Sequence, residues 1–275
     1  MKFRNTVTLT ILPILIQNLT AVEIIAHRGA SHDAPENTLA AVNLAWQRNA
    51  DAVEIDVYLS RDKKIVVIHD QNTARTTGHR GLVHKQTWAQ LAKLDAGAWK
   101  APQWKGEPIP SLEAILKTIP QGKRIFIEIK CGPEIVPPLA KLLAHTKTPA
   151  AQTAIIAFSL EVCTTVKKRL PALDVFYLKH LKQNPETAQW PALAPTLAAA
   201  KTAKLNGVNL GFKGQTDTDT FAKYLRQIRT QTRRQKLGLY VWTINNPAQA
   251  RQLKNIGFEG ITTDRPGFMR QRIKK

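Results

Sequence analysis

The stretch Asp51-Ala-Val-Glu-Ile-Asp-Val-Tyr-Leu-Ser60, followed by Lys64-Ile-Val-Val-Ile-His-Asp70, decides how this chain is read. Val53, Ile55 and Val57 suit a buried strand, and strand alternation puts Glu54 and Asp56 together on the opposite face. Two like charges buried side by side are costly unless a cation or strong donors neutralise them. The linker Ser60-Arg-Asp-Lys63 is too short for a helical crossover. The second run therefore returns antiparallel, as a hairpin, and brings His69 back towards the two acids. The device recurs at Arg124-Ile-Phe-Ile-Glu-Ile-Lys130, where Glu128 and Lys130 share a face between isoleucines. Three acids, a lysine and a histidine at strand ends read as a hard-cation site beside an anion site.

Outward from these segments, apolar strand-like runs alternate with helical patterns, the signature of a parallel α/β fold. Candidate strands cover 22–26, 52–59, 124–130, 154–158, 174–178, 207–210, 238–243 and 260–263. Eight is the number that a closed (β/α)8 TIM barrel needs. Candidate helices cover 38–49, 111–118, 135–145, 160–169, 187–204, 217–233, 247–255 and 266–272, the first capped by Asn37 or Thr38. Residues 72–110 break the rhythm with glycines, prolines and three tryptophans, Trp88, Trp99 and Trp104. They read as an insertion packed over the barrel mouth, within a single domain spanning 22–275. In such barrels the reacting groups project from the C-terminal ends of the strands. His27 and Arg28 end the first strand, Glu54 and Asp56 lie on the second, and Glu128 and Lys130 end the third, so neighbouring staves converge on one pocket.

The charge balance is unusual: 40 basic residues against 20 acidic, a net +20 over 275 residues. The charge is spread along the chain, with mild clusters at 167–169, 233–236 and 270–275. It reads as a basic exterior with no specific nucleic-acid partner, one that favours anionic substrates and is weakly drawn to anionic membrane surfaces. Nothing in the sequence sets the oligomeric state. Two cysteines, Cys131 and Cys163, do not make a disulfide framework, and a pair between them stays open. At the N-terminus, Lys2 and Arg4 precede an apolar run over 7–16 and a small residue at Ala21. Residues 1–21 therefore read as a signal peptide, pointing to a periplasmic or secreted protein. The alternative is an amphipathic lead-in to the barrel of a cytoplasmic protein. No later stretch has the length of a transmembrane segment.

The motifs His27-Arg28-Gly29, Pro35-Glu36-Asn37-Thr38, Glu54-x-Asp56, His69-Asp70 and Glu128-x-Lys130 occur in this order. Val241-Trp-Thr-Ile-Asn245 and Ile261-Thr-Thr-Asp-Arg-Pro266 follow them. On these residues the chain resembles the glycerophosphodiester phosphodiesterases, from about Ile24 to Pro266. The resemblance implies hydrolysis of a glycerophosphodiester to an alcohol and glycerol 3-phosphate, and an insertion at the corresponding place. It implies that a glycerol hydroxyl coordinates the metal and itself attacks, through a cyclic intermediate. On this reading Glu54, Asp56 and Glu128 bind one divalent cation, Ca2+ or Mg2+, with Mn2+ also compatible. Arg28 and Lys130 pin phosphate oxygens. His27 and His69 share the acid and base roles, in an order that the sequence does not fix.

Other positions carry blander expectations. Trp242 either stacks on the substrate or fills the core. Glu36 is structural, at a turn before a helix. His32, His79, His84, His145 and His180 are structural, and Phe158-Ser159 and Thr263-Asp264 are pocket walls or structural hydrogen bonds. The chain departs from the family pattern at Ser60-Arg-Asp62, where threonine is common, and at Cys131, where proline or a small residue is common. Two competing readings remain: a phospholipase D-like or C-like barrel acting on intact phospholipids, and a non-catalytic anion-binding barrel.

Overall fold

The computed structural model describes residues 22–273, so the leader read over 1–21 lies outside the described residues. Its strands are β1 (Glu23–His27), β2 (Ala52–Leu59), β3 (Ile65–Val67), β4 (Arg124–Ile129), β5 (Thr153–Ala157), β6 (Asp174–Lys182), β7 (Gly207–Lys213), β8 (Gly238–Trp242) and β9 (Gly260–Thr263). The order β1-β9-β8-β7-β6-β5-β4-β2, with β1 also paired to β2, closes eight parallel staves into a (β/α)8 barrel. β2 pairs with β1 only from Ala52 to Glu54, then runs past its end. β3 folds back antiparallel onto that overhang, Val57 opposite Val67 and Leu59 opposite Ile65, which is the expected hairpin.

The helices that return the chain between staves are α1 (Leu39–Gln47), α4 (Leu112–Leu116), α5 (Val136–Thr146), α6 (Leu160–Arg169), α7 (Ala194–Thr202), α8 (Asp219–Gln235), α9 (Pro247–Ile256) and α10 (Pro266–Ile273). Side-chain caps set several starts: the hydroxyls of Thr38, Ser111, Ser159 and Thr218 each accept from a backbone N–H in the first turn. The expected helix over 187–204 begins only at Ala194. Pro191 has no N–H to donate within a helix, whereas Pro195 fits the first turn. β6 and β7 run to Lys182 and Lys213, beyond their expected ends. Their extra residues pair with each other above the barrel, so lysines and a histidine that read as loop extend the ladder.

Inside the barrel, Ile25, Ala52, Phe126, Ala154, Ile156, Phe176, Leu178 and Tyr240 form a separate apolar cluster. Phe126, Phe176 and Tyr240 pack with ring centroids 4.6 to 6.1 Å apart and close the barrel axis as a floor. On the floor side Arg124 bridges Glu23 at 3.1 Å and Asp174 at 2.7 Å. The larger core lies between staves and helices and takes the other strand face, Val53, Ile55, Val57, Ile125 and Ile127 among it. The segment 72–110 holds α2 (Ala74–Thr77) and α3 (Trp88–Leu91). It buries Val83, Leu91, Ala96 and Ile109 against Val66 and Ile68 of the hairpin, with Tyr58 and Trp88 packed alongside. Cys131 and Cys163 are both free, which resolves their pairing: Cys163 is buried within α6 and its thiol meets the Ala157 carbonyl.

Candidate active site

Register brings the acids level. Asp56 of β2 sits opposite Glu128 of β4, and Glu54 sits opposite His27 of β1. Glu54 and Asp56 are 3% and 1% exposed, and one oxygen from each of Glu54, Asp56 and Glu128 lies within 4.8 Å of the others. Burial, then repulsion from Asp56 and Glu128, pushes Glu54 well above the usual carboxylate range. Glu128 is raised by burial and Asp56, against the pull of Lys130. Glu54 Oε2 accepts from the Arg28 backbone N–H at 3.0 Å, while its buried Oε1 has no partner. Three converging carboxylates with a spare buried oxygen fit a hard divalent cation, which would relieve that repulsion.

The cations and the loop after β1 complete the cluster. Lys130 Nζ lies 2.6 Å from Glu128 and 3.5 Å from Asp56, and Arg28 Nε lies 3.3 Å from Asp56. Asn37 fixes Asp56 from both sides: its Nδ2 donates to Oδ2 at 2.8 Å and its Oδ1 accepts from the Asp56 N–H at 3.1 Å. Arg28, Gly29 and Asn37 all have positive φ, 55°, 82° and 60°. A Cβ on Gly29 would come within 2.5 Å of the Ala41 backbone, so only glycine lets this turn lie against α1. Glu36 receives Arg28 at 2.9 Å and Arg75 at 2.7 Å. Although burial opposes it, these guanidinium contacts hold Glu36 below the usual carboxylate range.

Each histidine is braced by an acid. His27 Nδ1 lies 2.6 Å from Asp264 Oδ1, and His69 Nδ1 lies 2.6 Å from Asp70 Oδ1. A carboxylate only accepts, so in the neutral rings Nδ1 carries the proton and Nε2 is the free nitrogen. Asp264 also receives Ser31 at 3.2 Å and Asn245 at 2.5 Å. Burial would raise its pKa, but the His27 contact and these donors bring it down to about 2. Burial holds the His69 imidazole below its usual pKa, against the opposite pull of Asp56. Asp70 is in turn gripped by Arg75 at 2.6 Å, linking His69 through Arg75 and Glu36 to Arg28.

All of this opens into one cavity of about 90 Å³, lined by His27, Arg28, Glu54, His69, Glu128 and Lys130 on the polar side. Ile156, Phe158, Leu178 and Trp242 form the apolar side, with Asn209 and Thr262 between. Gly211 makes room for Trp242: a Cβ there would come within 2.7 Å of the indole. Phe158 and His180 meet that indole at centroid distances of 5.7 and 5.4 Å. The Asn209 side-chain oxygen and Trp242 Nε1 are buried here without partners, like Glu54 Oε1.

The eight residues singled out from sequence, His27, Arg28, Glu54, Asp56, His69, Glu128, Lys130 and Trp242, thus fall in one cluster, Asp56 in the layer just outside the cavity wall. Sequence reading gave Asp264 as a pocket wall or structural hydrogen bond without its link to His27, and missed Asn37 as the clamp of Asp56, Arg75 as the link from the insertion, and Asn209. Asp264 carried a signal, since it ends the last stave beside the first. Asn209 carried none, because an asparagine between Val208 and Leu210 has the period of any half-buried strand. Among the expected structural histidines, His32 meets Arg265 at 2.6 Å, outside the cavity.

Comparison with known proteins agrees with this geometry. Residues 27–268 match the sequence profile of the glycerophosphoryl diester phosphodiesterase family. The chain is 35% identical to the Bacillus subtilis protein YhdW over 257 residues, 90% of this chain and 96% of the relative. It is 31% identical to a glycerophosphodiester phosphodiesterase of the same organism over 271 residues, 91% of this chain and 86% of the relative. A phosphodiesterase from Oleispira antarctica, solved in complex with the product sn-glycerol-3-phosphate, superposes with a TM-score of 0.78 at 28% identity, covering 93% of this chain and 98% of that one. The chain belongs to the glycerophosphoryl diester phosphodiesterase family, an enzyme class of phosphoric diester hydrolases.

Proposed function

We propose that this enzyme hydrolyses glycerophosphodiesters to an alcohol and glycerol 3-phosphate in a metal-dependent reaction, with His27 and His69 as its base and acid. The observation that carries the reading is the convergence of three carboxylates, two of them buried, with two cations and two acid-braced imidazoles around one small cavity. Glu54, Asp56 and Glu128 would hold the ion. A bound Ca2+ or Mg2+ (Mn2+ also suits carboxylate oxygens) would polarise the phosphoryl group and offset its charge. Arg28 and Lys130 grip the remaining phosphate oxygens. The partnerless Asn209 Oδ1 and Trp242 Nε1 suit the hydroxyls of a glycerol moiety held against Phe158 and Trp242. The sn-glycerol-3-phosphate bound by the Oleispira antarctica relative supports glycerol 3-phosphate as the product of this reaction.

His69 also borders an open groove lined by Arg75 and Arg80, and His27 borders another lined by His32, Trp99 and Lys100. Asp70 shares its charge with Arg75, whereas Asp264 receives only the neutral donors Ser31 and Asn245 besides His27; on that ground His27 is assigned to take the proton of the attacking hydroxyl and His69 to return one to the departing alcohol oxygen. The diester's negative charge offsets part of the burial that holds His69 neutral. The partnerless Asn209 Oδ1 and Trp242 Nε1 favour a glycerol with free hydroxyls over an acylated one. The test is turnover of glycerophosphocholine on protein of defined metal content. EDTA is expected to abolish it and added Ca2+ or Mg2+ to restore it; full activity in chelator overturns the metal role. Faster release of headgroup from phospholipid vesicles than from deacylated diesters would favour the phospholipase reading.

The same proposal includes export. The basic lead, apolar run and Ala21 support removal of residues 1–21 and a periplasmic or secreted enzyme. Among the described residues no helix is long and apolar enough to cross a membrane. Mature protein beginning at Val22 outside the cytoplasm is expected; full-length protein retained inside would overturn it.

A further inference from the structure

Outside the catalytic cavity, two open cavities of about 590 and 340 Å³ share Tyr58, Gln71 and Lys130 and so form one groove. One part is lined by His69, Lys130 and, on the insertion, Arg80; the other is lined by Lys130, Arg61, Lys63 and His84. Arg61, Lys63 and Arg80 are exposed, and among the described residues none of the three pairs with a carboxylate. The other cations along the groove are engaged: Arg75 by Glu36 and Asp70, Lys130 by Glu128. Of its acids, Asp70 is held by His69 and Arg75, leaving Glu134, which accepts from the Gly132 N–H. Three cations without partners therefore face one carboxylate along a channel that leads away from the histidine assigned to the departing alcohol. Neither gripping the scissile phosphate nor transferring its protons uses them.

We propose that this groove receives the alcohol half of the substrate and selects alcohols that carry a second phosphate. The inference rests on the phosphodiesterase reading above and specifies its substrate. The second phosphate would lie among Arg61, Lys63 and Arg80, the two guanidiniums offering forked donors and the ammonium a point charge. A cationic alcohol such as choline meets the wrong sign of charge there. The phosphate could be a monoester on the alcohol or the next link of a glycerophosphate chain; both present the same oxygens.

Two matched pairs of diesters separate these cases on the metal-loaded enzyme. Glycerophosphoinositol against its 4-phosphate adds a phosphomonoester. Glycerophosphoglycerol against bis(glycerophospho)glycerol adds a second diester, its rate halved for two equivalent scissile ends. The expected result is a kcat/KM about tenfold higher for the phosphate-bearing member of at least one pair, the worth of one charge-assisted contact. The pair that responds identifies the source, and the preference shrinks as ionic strength rises. Combining Arg61→Ala, Lys63→Ala and Arg80→Ala is expected to bring the ratio within each responding pair close to one. Combining Lys168→Ala and Arg169→Ala, which removes exposed charge at the end of α6 that faces the barrel floor, is expected to leave the ratio unchanged. Hydrolysis of all diesters with no preference in either pair overturns the groove assignment alone, as does a preference that survives the triple variant or falls with the distal one. Failure to hydrolyse any diester overturns the phosphodiesterase reading, and this inference with it.

Discussion

Each histidine at the mouth is held through Nδ1 by one carboxylate, and the two braces reach it by different routes. Asp70 is the next residue to His69, so the pair was visible as a dipeptide. Asp264 lies 237 residues from His27 and reaches it only because β9 pairs with β1 to close the barrel. Replacing Asp264 by Asn keeps the size but offers an amide that can present its donor to Nδ1 and favour the wrong tautomer. Asp264→Asn is expected to lower kcat on glycerophosphocholine by about 10²-fold with KM nearly unchanged, the loss expected of a disabled base. Steady-state kinetics check this, and an unchanged kcat would remove Asp264 from the positioning machinery.

At the scale of elements, the insertion reaches the catalytic groups through Arg75, which follows the first residue of α2. Arg75 is 44% exposed, and its ion pairs with Glu36 and Asp70 contribute about 1 kcal/mol or less to stability. Their effect on His69 orientation is larger in consequence. Arg75→Met is expected to lower kcat about tenfold while leaving the thermal midpoint nearly in place; a large stability loss with kcat retained would reverse that assignment. The elements also show what could be read beforehand. Glu54, Asp56 and Glu128 were legible because strand alternation gathers these acids on one face of strands whose other face is wholly apolar, and the short 60–63 linker forced the hairpin that returns His69. The start of α7 and the ends of β6 and β7 were not. Alanine-rich sequence hides prolines that stop a helix, and Lys179 to Lys182 look like loop until a partner strand is known to continue beside them. Arg75 and Asn37 were missed for a related reason: their partners are carboxylates on other elements, and one sequence carries no record of such pairings.

Across the whole molecule, the barrel has a reactive end and a sealed end, and both depend on charge. At the sealed end burial pushes Glu23 up to about 7 from its ordinary 4.5, against the attraction of Arg124 and with repulsion from Asp51. Between those two values the folded state holds a proton that the unfolded chain has released, so this residue's contribution to stability falls as pH rises through that window and levels off above it. In Glu23→Gln that slope is absent. Denaturation from pH 4.5 to 8 is expected to show wild type losing on the order of 2 kcal/mol relative to the variant, and parallel curves would contradict the assignment.

The aromatic floor of Phe126, Phe176 and Tyr240 has one further consequence. A tube stoppered below admits traffic only from above, so whichever fragment sits deeper must wait for the other to depart. With the polyol phosphate innermost, the alcohol exits first. Glycerol 3-phosphate should therefore inhibit competitively against the diester and the freed alcohol should not, a pattern that product-inhibition kinetics would read directly.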